Sequence, residues 1–184
     1  MQTQLFLIAP PDARTAPLLE GLAQLARSRE ISALLLPRGA RSENAYKDHV
    51  KAVAPAAQAA GAAVLIEGEP GLVKMLGADG LHVRAGAAAT RDAVKALRPH
   101  HIVGVGDLHS RDEAMSMGEL EVDYILFGPL SGAIEPAERE MARWWAETME
   151  IPSVLSDPDA GFDAFDAEGC EFIGLALQPL ETAQ

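Results

Sequence analysis

The stretch G-A-D-G-L-H-V at residues 77–83 and the stretch V-D-Y-I-L-F-G-P at residues 122–129 decide the fold. Each is typical of a helix end that runs into a buried parallel strand: Gly77 can end a helix, and Gly128-Pro129 stops the second strand at its carboxyl end. A helix–strand unit that recurs in this way predicts a parallel α/β sheet and favours a closed (β/α)8 barrel. Functional residues are then expected in the loops that follow the strands.

Eight apolar runs have the length of buried strands, and segments with helical periodicity lie between most of them. The predicted strands are residues 5–9, 31–36, 63–66, 81–83, 102–105, 124–127, 153–155 and 173–177. The predicted helices are residues 17–29, 44–61, 71–76, 90–97, 110–117 and 138–148. Ser110 and Glu113 form the S-x-x-E pattern of a capping box at the start of the fifth helix. Eight strands favour a barrel over the alternative, an open doubly wound sheet.

The length and the charge of the chain limit its fold and its partners. A chain of 184 residues is enough for one sizeable core, and we treat residues 1–184 as a single domain. It is short for a (β/α)8 barrel, for which about 250 residues are typical, so the loops must be brief. A net charge of −12 argues against nucleic acid or an anionic membrane as a partner, because both bind clustered Lys and Arg. A phosphate site would therefore depend on backbone amides and a few local arginines.

The sequence also gives an expectation for the cellular compartment. The single cysteine, Cys170, excludes an internal disulfide and a Cys-based zinc site, and we interpret it as structural. The first residues lack a basic region followed by a long apolar run, and no apolar stretch reaches the about 18 residues of a membrane-spanning helix. We therefore expect a cytoplasmic protein without a signal peptide.

Five sequence blocks, read in order, resemble those of the thiamine phosphate synthase and thiazole tautomerase (TenI-like) superfamily: L-F-L-I, A-D-G-L-H, I-V-G-V-x-x-x-H-S-x-x-E-A, D-Y-I-L-F-G-P and E-G-C-E-F-I-G-L-A-L. The strongest parts are residues 77–82, 102–114 and 122–129. The family is a (β/α)8 barrel, which agrees with the strand count. The resemblance implies a small phosphorylated heterocycle as ligand: the synthase joins a pyrimidine pyrophosphate to a thiazole phosphate and uses Mg2+ to release pyrophosphate.

The chain departs from the family at the positions that carry the metal chemistry. The family's Asn-Asp pair after strand three corresponds here to Glu67-Gly68, and its Asp after strand four falls in residues 84–87, which read R-A-G-A. Glu67 and Glu69 could rebuild a weak Mg2+ site, and the alternative is that both are solvated loop residues. We predict a diverged member with reduced or lost synthase activity, no certain cofactor and no assigned metal ligand.

The groups that bind the family's phosphates are also altered. The family's Lys after strand six is absent from residues 130–135. The family's I-G-G loop after strand seven reads Ser156-Asp157-Pro158 here. After strand eight, Gln178-Pro179 replaces the family's pair of Ser or Gly residues. The remaining candidates for ligand or phosphate binding lie within or after strands two, four, six and seven: Arg38, Arg41, His82, Arg84, Ser131, Gly132, Ser156 and Asp157.

Several of these residues have a plainer interpretation. His82 alternates with Leu81 and Val83 and therefore faces the opposite side of the strand, as a core histidine or as a ligand contact. Arg84 could be a surface arginine. Residues 131–132 could form an ordinary turn, and Asp157 precedes a proline, which is a common turn signal.

His109 is the candidate catalytic residue. It lies in the loop after strand five, where barrels place working groups, and the imidazole of histidine exchanges protons near neutral pH. In the tautomerase branch, a His in the block V-H-S-x-E-E-A performs proton transfer on thiazole phosphate, and residues 108–114 match that block. The preceding turn is one residue longer than in the family, and the alternative is an exposed loop histidine.

Three functional hypotheses therefore stay open. The first is a thiamine phosphate synthase-like protein that binds a phosphorylated thiazole or pyrimidine. The second is a tautomerase-like enzyme that uses His109, and the third is a non-catalytic binding or assembly barrel. Trp144 and Trp145 lie about 100° apart on a helix, so at most one faces the core, and the other would mark a homodimer interface.

Overall fold

The computed structural model describes residues 2–179, in which eight parallel strands close into a barrel in chain order. The strands are β1 (Gln4–Ile8), β2 (Ala33–Leu36), β3 (Ala63–Ile66), β4 (Gly80–Val83), β5 (Ile102–Val105), β6 (Tyr124–Phe127), β7 (Ser153–Ser156) and β8 (Phe172–Ala176). The helices are α1 (Thr15–Ala26), α2 (Glu43–Ala59), α3 (Gly71–Leu76), α4 (Ala87–Leu97), α5 (Arg111–Gly118) and α6 (Pro136–Thr148). The predicted (β/α)8 barrel is confirmed.

The pairing of the first strand with the last strand distinguishes the barrel from an open sheet. β1 and β8 pair in parallel from Gln4↔Phe172 to Ile8↔Ala176, so the sheet has no free edge. The predicted strands overlap all eight observed ones: three have the same bounds, and the ends of the others differ by at most two residues. The largest difference at a helix start is in α4, which begins at Ala87 instead of residue 90.

Helix ends follow the local sequence signals. Gly77 ends α3 in the left-handed conformation, with φ 70°, a conformation that costs glycine little. Ser110 caps α5 by accepting a hydrogen bond from the Glu113 amide. The Glu113 carboxylate in turn accepts a hydrogen bond from the His109 amide, at 2.9 Å, one residue before the position expected for a capping box.

No helix connects β7 to β8: residues 157–171, here called the β7–β8 segment, run as turns and irregular backbone. Side chains of α6 hold this segment against the helix: Arg139 donates a hydrogen bond to the Asp166 carbonyl, and Arg143 donates one to the Glu168 carboxylate. Cys170 is buried there and donates to the Ala142 carbonyl, and burial raises the pKa of its thiol to about 11. The missing helix is one reason why so short a chain can complete the barrel.

The barrel wall separates two apolar clusters. The inner cluster fills the barrel and consists of Phe6, Ile8, Ala33, Leu35, Leu65, Tyr124, Leu126 and Val154. The alternate strand residues point outward and pack against the helices, as Leu81 and Val83 do. No helix within residues 2–179 is both long and apolar enough to cross a membrane.

The two adjacent tryptophans of α6 have different surroundings. Trp145 is buried in the outer cluster, and its indole N–H donates to the Ile151 carbonyl at 2.9 Å. Trp144 is half-buried, and the Arg111 guanidinium lies 4.8 Å from the centre of its ring. This cation–π contact within the chain covers part of the Trp144 ring.

Candidate functional site

The carboxyl ends of the eight strands meet at one end of the barrel, here called the C-terminal face. Two clefts open there. The β3–β4 cleft, of about 580 Å³, is lined by residues that include Glu67, His82, Arg84 and Asp107. The β1–β2 cleft, of about 930 Å³, is lined by residues that include Arg14, Arg41, His49 and Ser131. The predicted residues His82 and Arg84 thus share one cleft, and Arg41 and Ser131 share the other.

An ion pair dominates the β3–β4 cleft. Arg84 Nε and Nη2 both lie 2.8 Å from Glu67 Oε2, and Glu67 Oε1 accepts a hydrogen bond from the Arg38 amide at 3.1 Å. The Glu67 side chain is only 13% exposed, so this pair is partly shielded from water. The Glu67 amide in turn donates to the Tyr46 hydroxyl at 2.9 Å. Three segments of the C-terminal face are therefore joined through one carboxylate.

This arrangement does not fit a Mg2+ ion. Mg2+ needs several oxygen ligands in an octahedral arrangement. The carboxylate of Glu67 is already neutralised by Arg84, and Glu69 lies at the exposed turn after it. Within residues 2–179, no three His, Cys, Asp or Glu side chains are grouped so that they could hold a metal ion. The resemblance implies metal-binding carboxylates in the loops after strands three and four, and in this structure the Arg84 guanidinium of one loop binds the Glu67 carboxylate of the other.

The β1–β2 cleft is built around Arg41. Its guanidinium donates to the carbonyls of Pro11, Ala13 and Pro37 and so fixes the loop between β1 and α1. His49 lines the same cleft, and its Nδ1 lies 2.8 Å from the Thr15 hydroxyl. Burial, with the nearby charge of Arg41, lowers the pKa of His49 to about 4, so this imidazole is neutral at pH 7.

His82 lies inside the barrel, stacked on Tyr124 with an interplanar angle of 11°. Its Nδ1 lies 2.6 Å from the Tyr124 hydroxyl. Burial, helped by the charge of Arg84, lowers the pKa of His82 to about 3, and burial raises the pKa of Tyr124 well above its usual value. Both groups are therefore neutral at pH 7.

The other ring nitrogen of His82, Nε2, has no hydrogen-bond partner among the described residues. Nδ1 and the Tyr124 hydroxyl share one hydrogen bond, whose direction depends on the tautomer of the imidazole. Nε2 is buried and has no partner within residues 2–179. It points toward Gly106, where an added Cβ would lie only 2.9 Å away. A buried polar nitrogen is thus directed at a position that lacks a side chain.

His109 extends from the C-terminal face, and its Nε2 lies 3.0 Å from Asp107 Oδ1. The two side chains are 70% and 54% exposed, so a ligand can reach both. Asp107 has φ 60°, a left-handed conformation that is uncommon for residues other than glycine. Since Asp107 also lines the β3–β4 cleft, the pair connects His109 to that cleft. A carboxylate that binds one imidazole nitrogen orients the ring for proton transfer at the other.

The predicted residues after β6 and β7 hold the loops of the C-terminal face together. The Ser156 hydroxyl is buried and donates to the Pro129 carbonyl. Asp157 accepts from the Ile134 amide and pairs with Arg139 at 3.1 Å. Gly132, with φ 87°, accepts from the Asp159 amide. Arg38, predicted after β2, donates from Nε to the Arg41 carbonyl.

Sequence reasoning missed three residues: His49, which lines the β1–β2 cleft, and Tyr46 and Tyr124, which hydrogen-bond to Glu67 and His82 of the β3–β4 cleft. One signal could have revealed Tyr124. Its position in β6 alternates with the outward-facing residues, so its side chain faces the barrel interior. The neighbouring β5 carries Gly104, and Gly106 follows that strand, which leaves room for a large ring. A Cβ at Gly104 would overlap the Tyr124 ring.

The fold and the position of these loops define the class: a (β/α)8-barrel protein whose candidate functional groups lie at the carboxyl ends of its strands. The family model described as thiamine monophosphate synthase matches residues 5–156. The chain belongs to this family, and the predicted resemblance is confirmed. The match ends at Ser156, the last residue of β7, so the predicted family block at residues 168–177 lies outside it.

Individual relatives agree with this assignment. A thiamine-phosphate synthase of Rhodospirillum centenum is 31% identical over 156 residues, which cover 82% of this chain and 75% of that protein. One of Hyphomonas neptunium is 32% identical over 164 residues, which cover 83% and 74%. The structure of thiamine phosphate pyrophosphorylase from Pyrococcus furiosus has a TM-score of 0.74 at 16% identity, covers 94% of this chain and 85% of that one, and supports the fold.

Proposed function

We propose that this member of the family binds a small phosphorylated heterocycle, a thiazole or pyrimidine phosphate, at its C-terminal face and has lost Mg2+-dependent synthase chemistry. The ion pair between Glu67 and Arg84 carries this proposal, because it occupies the carboxylate that a metal would need. The curated relatives are thiamine-phosphate synthases, which supports a ligand of the same chemical class.

The β1–β2 cleft offers the better surroundings for the phosphate. Arg14 and Arg41 bring positive charge to it, and α1 begins beside it at Thr15. Amides at the start of a helix favour an anion. The Ser131 hydroxyl is exposed and lines the same cleft. Asp12 also lines this cleft, but fewer acidic residues do so than in the β3–β4 cleft, where Glu69, Asp92 and Asp107 oppose an anion.

Thermal-shift titrations test both parts of the proposal. Thiazole phosphate is expected to raise the melting temperature in a saturable way, to the same extent with and without Mg2+, because ligand binding stabilises the folded state. Aminomethyl-pyrimidine phosphate, inorganic phosphate and pyrophosphate are compared under the same conditions. A shift that requires Mg2+, or ordinary formation of thiamine phosphate from the two substrates, would contradict the loss of synthase chemistry.

A charge reversal locates the phosphate. Ser131→Asp places a carboxylate in the β1–β2 cleft and is expected to weaken binding at least about tenfold, the effect of about 1.4 kcal/mol of repulsion. Ser116→Asp makes the same change at an exposed position of α5 and serves as the matched control. Equal affinities of the two variants would place the phosphate elsewhere.

The contact between Asp107 and His109 supports a second function, proton transfer to or from the bound heterocycle. His109→Ala is expected to lower the rate of deuterium exchange from D2O into thiazole phosphate by about 10²–10⁴, the usual contribution of a general acid–base group. Asp107→Asn is expected to have a smaller effect, and His100→Gln, at an exposed position, none. If the wild-type protein binds the ligand but gives no exchange, the non-catalytic alternative holds; unchanged exchange in His109→Ala excludes His109 as the base.

A further inference from the structure

The barrel contains an apolar cavity at its amino-terminal end, opposite the C-terminal face. Its volume is about 200 Å³, and its lining includes Ala33, Ala63, Ile102, Tyr124 and Phe172, each the first residue of its strand. Interior positions of a (β/α)8 barrel are usually filled by bulky branched side chains. Here two of the positions at this end carry alanine, and the space that larger side chains would fill stays open.

The polar groups at the rim of this cavity already have partners. The Ser32 hydroxyl donates to Gln4 Oε1 at 2.9 Å. Asp123 accepts from the Val103 amide at 2.8 Å and pairs with Arg98 at 2.6 Å. A water molecule is stable in a buried space when it finds two to four polar partners. These rim groups leave little for water to bind, so the cavity favours an apolar occupant.

Aromatic rings form part of the wall. Phe6 meets Tyr124 edge to face with ring centroids 5.4 Å apart, and it meets Phe172 in the same manner at 6.5 Å. All three rings line the cavity. A planar aromatic guest could add further edge-to-face contacts with these rings.

We propose that the amino-terminal cavity is a binding site for a small uncharged aromatic molecule of one or two rings. An enclosed apolar cavity of about 150 Å³ takes up benzene. The space here, of about 200 Å³, is large enough for a guest of this size and opens at the amino-terminal end of the barrel, so the guest can enter. Asp123 is the charged residue among those that line the cavity, and it is already paired with Arg98, so a charged ligand finds no free counter-ion here. The site is separate from the C-terminal face and does not depend on the function proposed for that face.

Titrations with toluene and indole, followed by NMR, test the proposal. Both probes are expected to bind saturably at one site and to give NOEs to the Ala63 and Ile102 methyl groups. Ala63→Leu fills the cavity and is expected to weaken binding at least tenfold. Ala56→Leu adds the same side chain at an exposed position of α2 and is expected to leave the affinity unchanged.

Two results would contradict the proposed aromatic site. The absence of saturable binding by both probes would overturn the proposal, as would unchanged affinity in folded Ala63→Leu. If Ala63→Leu does not fold, the NOEs of the wild-type complex decide: contacts with the methyl groups of Ala63 and Ile102 support the site, and contacts confined to other residues exclude it.

Discussion

Acidification from pH 6.5 to about pH 4.5 is expected to lower the free energy of unfolding by about 5 kcal/mol. His49 and His82 have pKa values of about 4 and about 3 in the folded protein and about 6.5 in the unfolded chain. Below pH 6.5 the unfolded chain therefore binds two protons that the folded protein does not accept. Each such proton costs about 1.4 kcal/mol per pH unit. This stability is fully present above pH 6.5 and decreases as the pH falls toward the folded-state values.

Urea denaturation at a series of pH values measures this dependence. His82→Gln is expected to remove about half of the slope between pH 6.5 and pH 4.5, whatever its effect on stability at pH 7. His100→Gln removes an exposed histidine and is expected to leave the slope unchanged. A wild-type slope that does not change in His82→Gln would show that His82 is protonated in the folded protein.

Trp145→Ala is expected to destabilise the protein by about 4 kcal/mol. The change removes the largest side chain of the outer cluster, leaves a cavity beneath α6 and deprives the Ile151 carbonyl of its hydrogen bond. A loss of this size is a large part of the stability of a typical domain. Denaturation in urea at pH 7 measures it from the midpoint and slope.

The neighbouring Trp144→Ala is the matched control. Trp144 is half-buried and contacts the Arg111 guanidinium, so its removal is expected to cost about 1 kcal/mol. Equal losses for the two variants would mean that both rings contribute similarly to the core, contrary to their burial here.

Local signals in the sequence were sufficient for the fold. Gly77 ends a helix, Ser110 begins one, and the apolar runs identify eight strands because buried parallel strands are apolar on both faces. The same local signals do not predict that β7 and β8 are connected without a helix. The β7–β8 segment depends on Arg139 and Arg143, which lie 27 and 25 residues before the groups that they bind in Asp166 and Glu168. No local sequence pattern predicts contacts over such distances.

The site was less predictable because its side chains are engaged by distant partners. The sequence placed Arg41 and Arg84 in loops of the correct face, but it could not show that one binds the backbone of another loop and the other binds Glu67. His82 was expected on the side opposite Leu81, and its inward direction agrees with that expectation. Its partner Tyr124 is 42 residues away, and only the closed barrel brings the two rings together.

The pairing of β1 with β8 has a consequence for biosynthesis. Of the eight strands, β1 is made first and finds β2 early, but its other edge has no partner until residues 172–176 have been made. During translation, the nascent barrel therefore carries an unpaired strand edge at Gln4–Ile8 until β8 is available. A translational pause before residue 172 would prolong this exposure, and a chaperone that covers edge strands would be needed most during that interval.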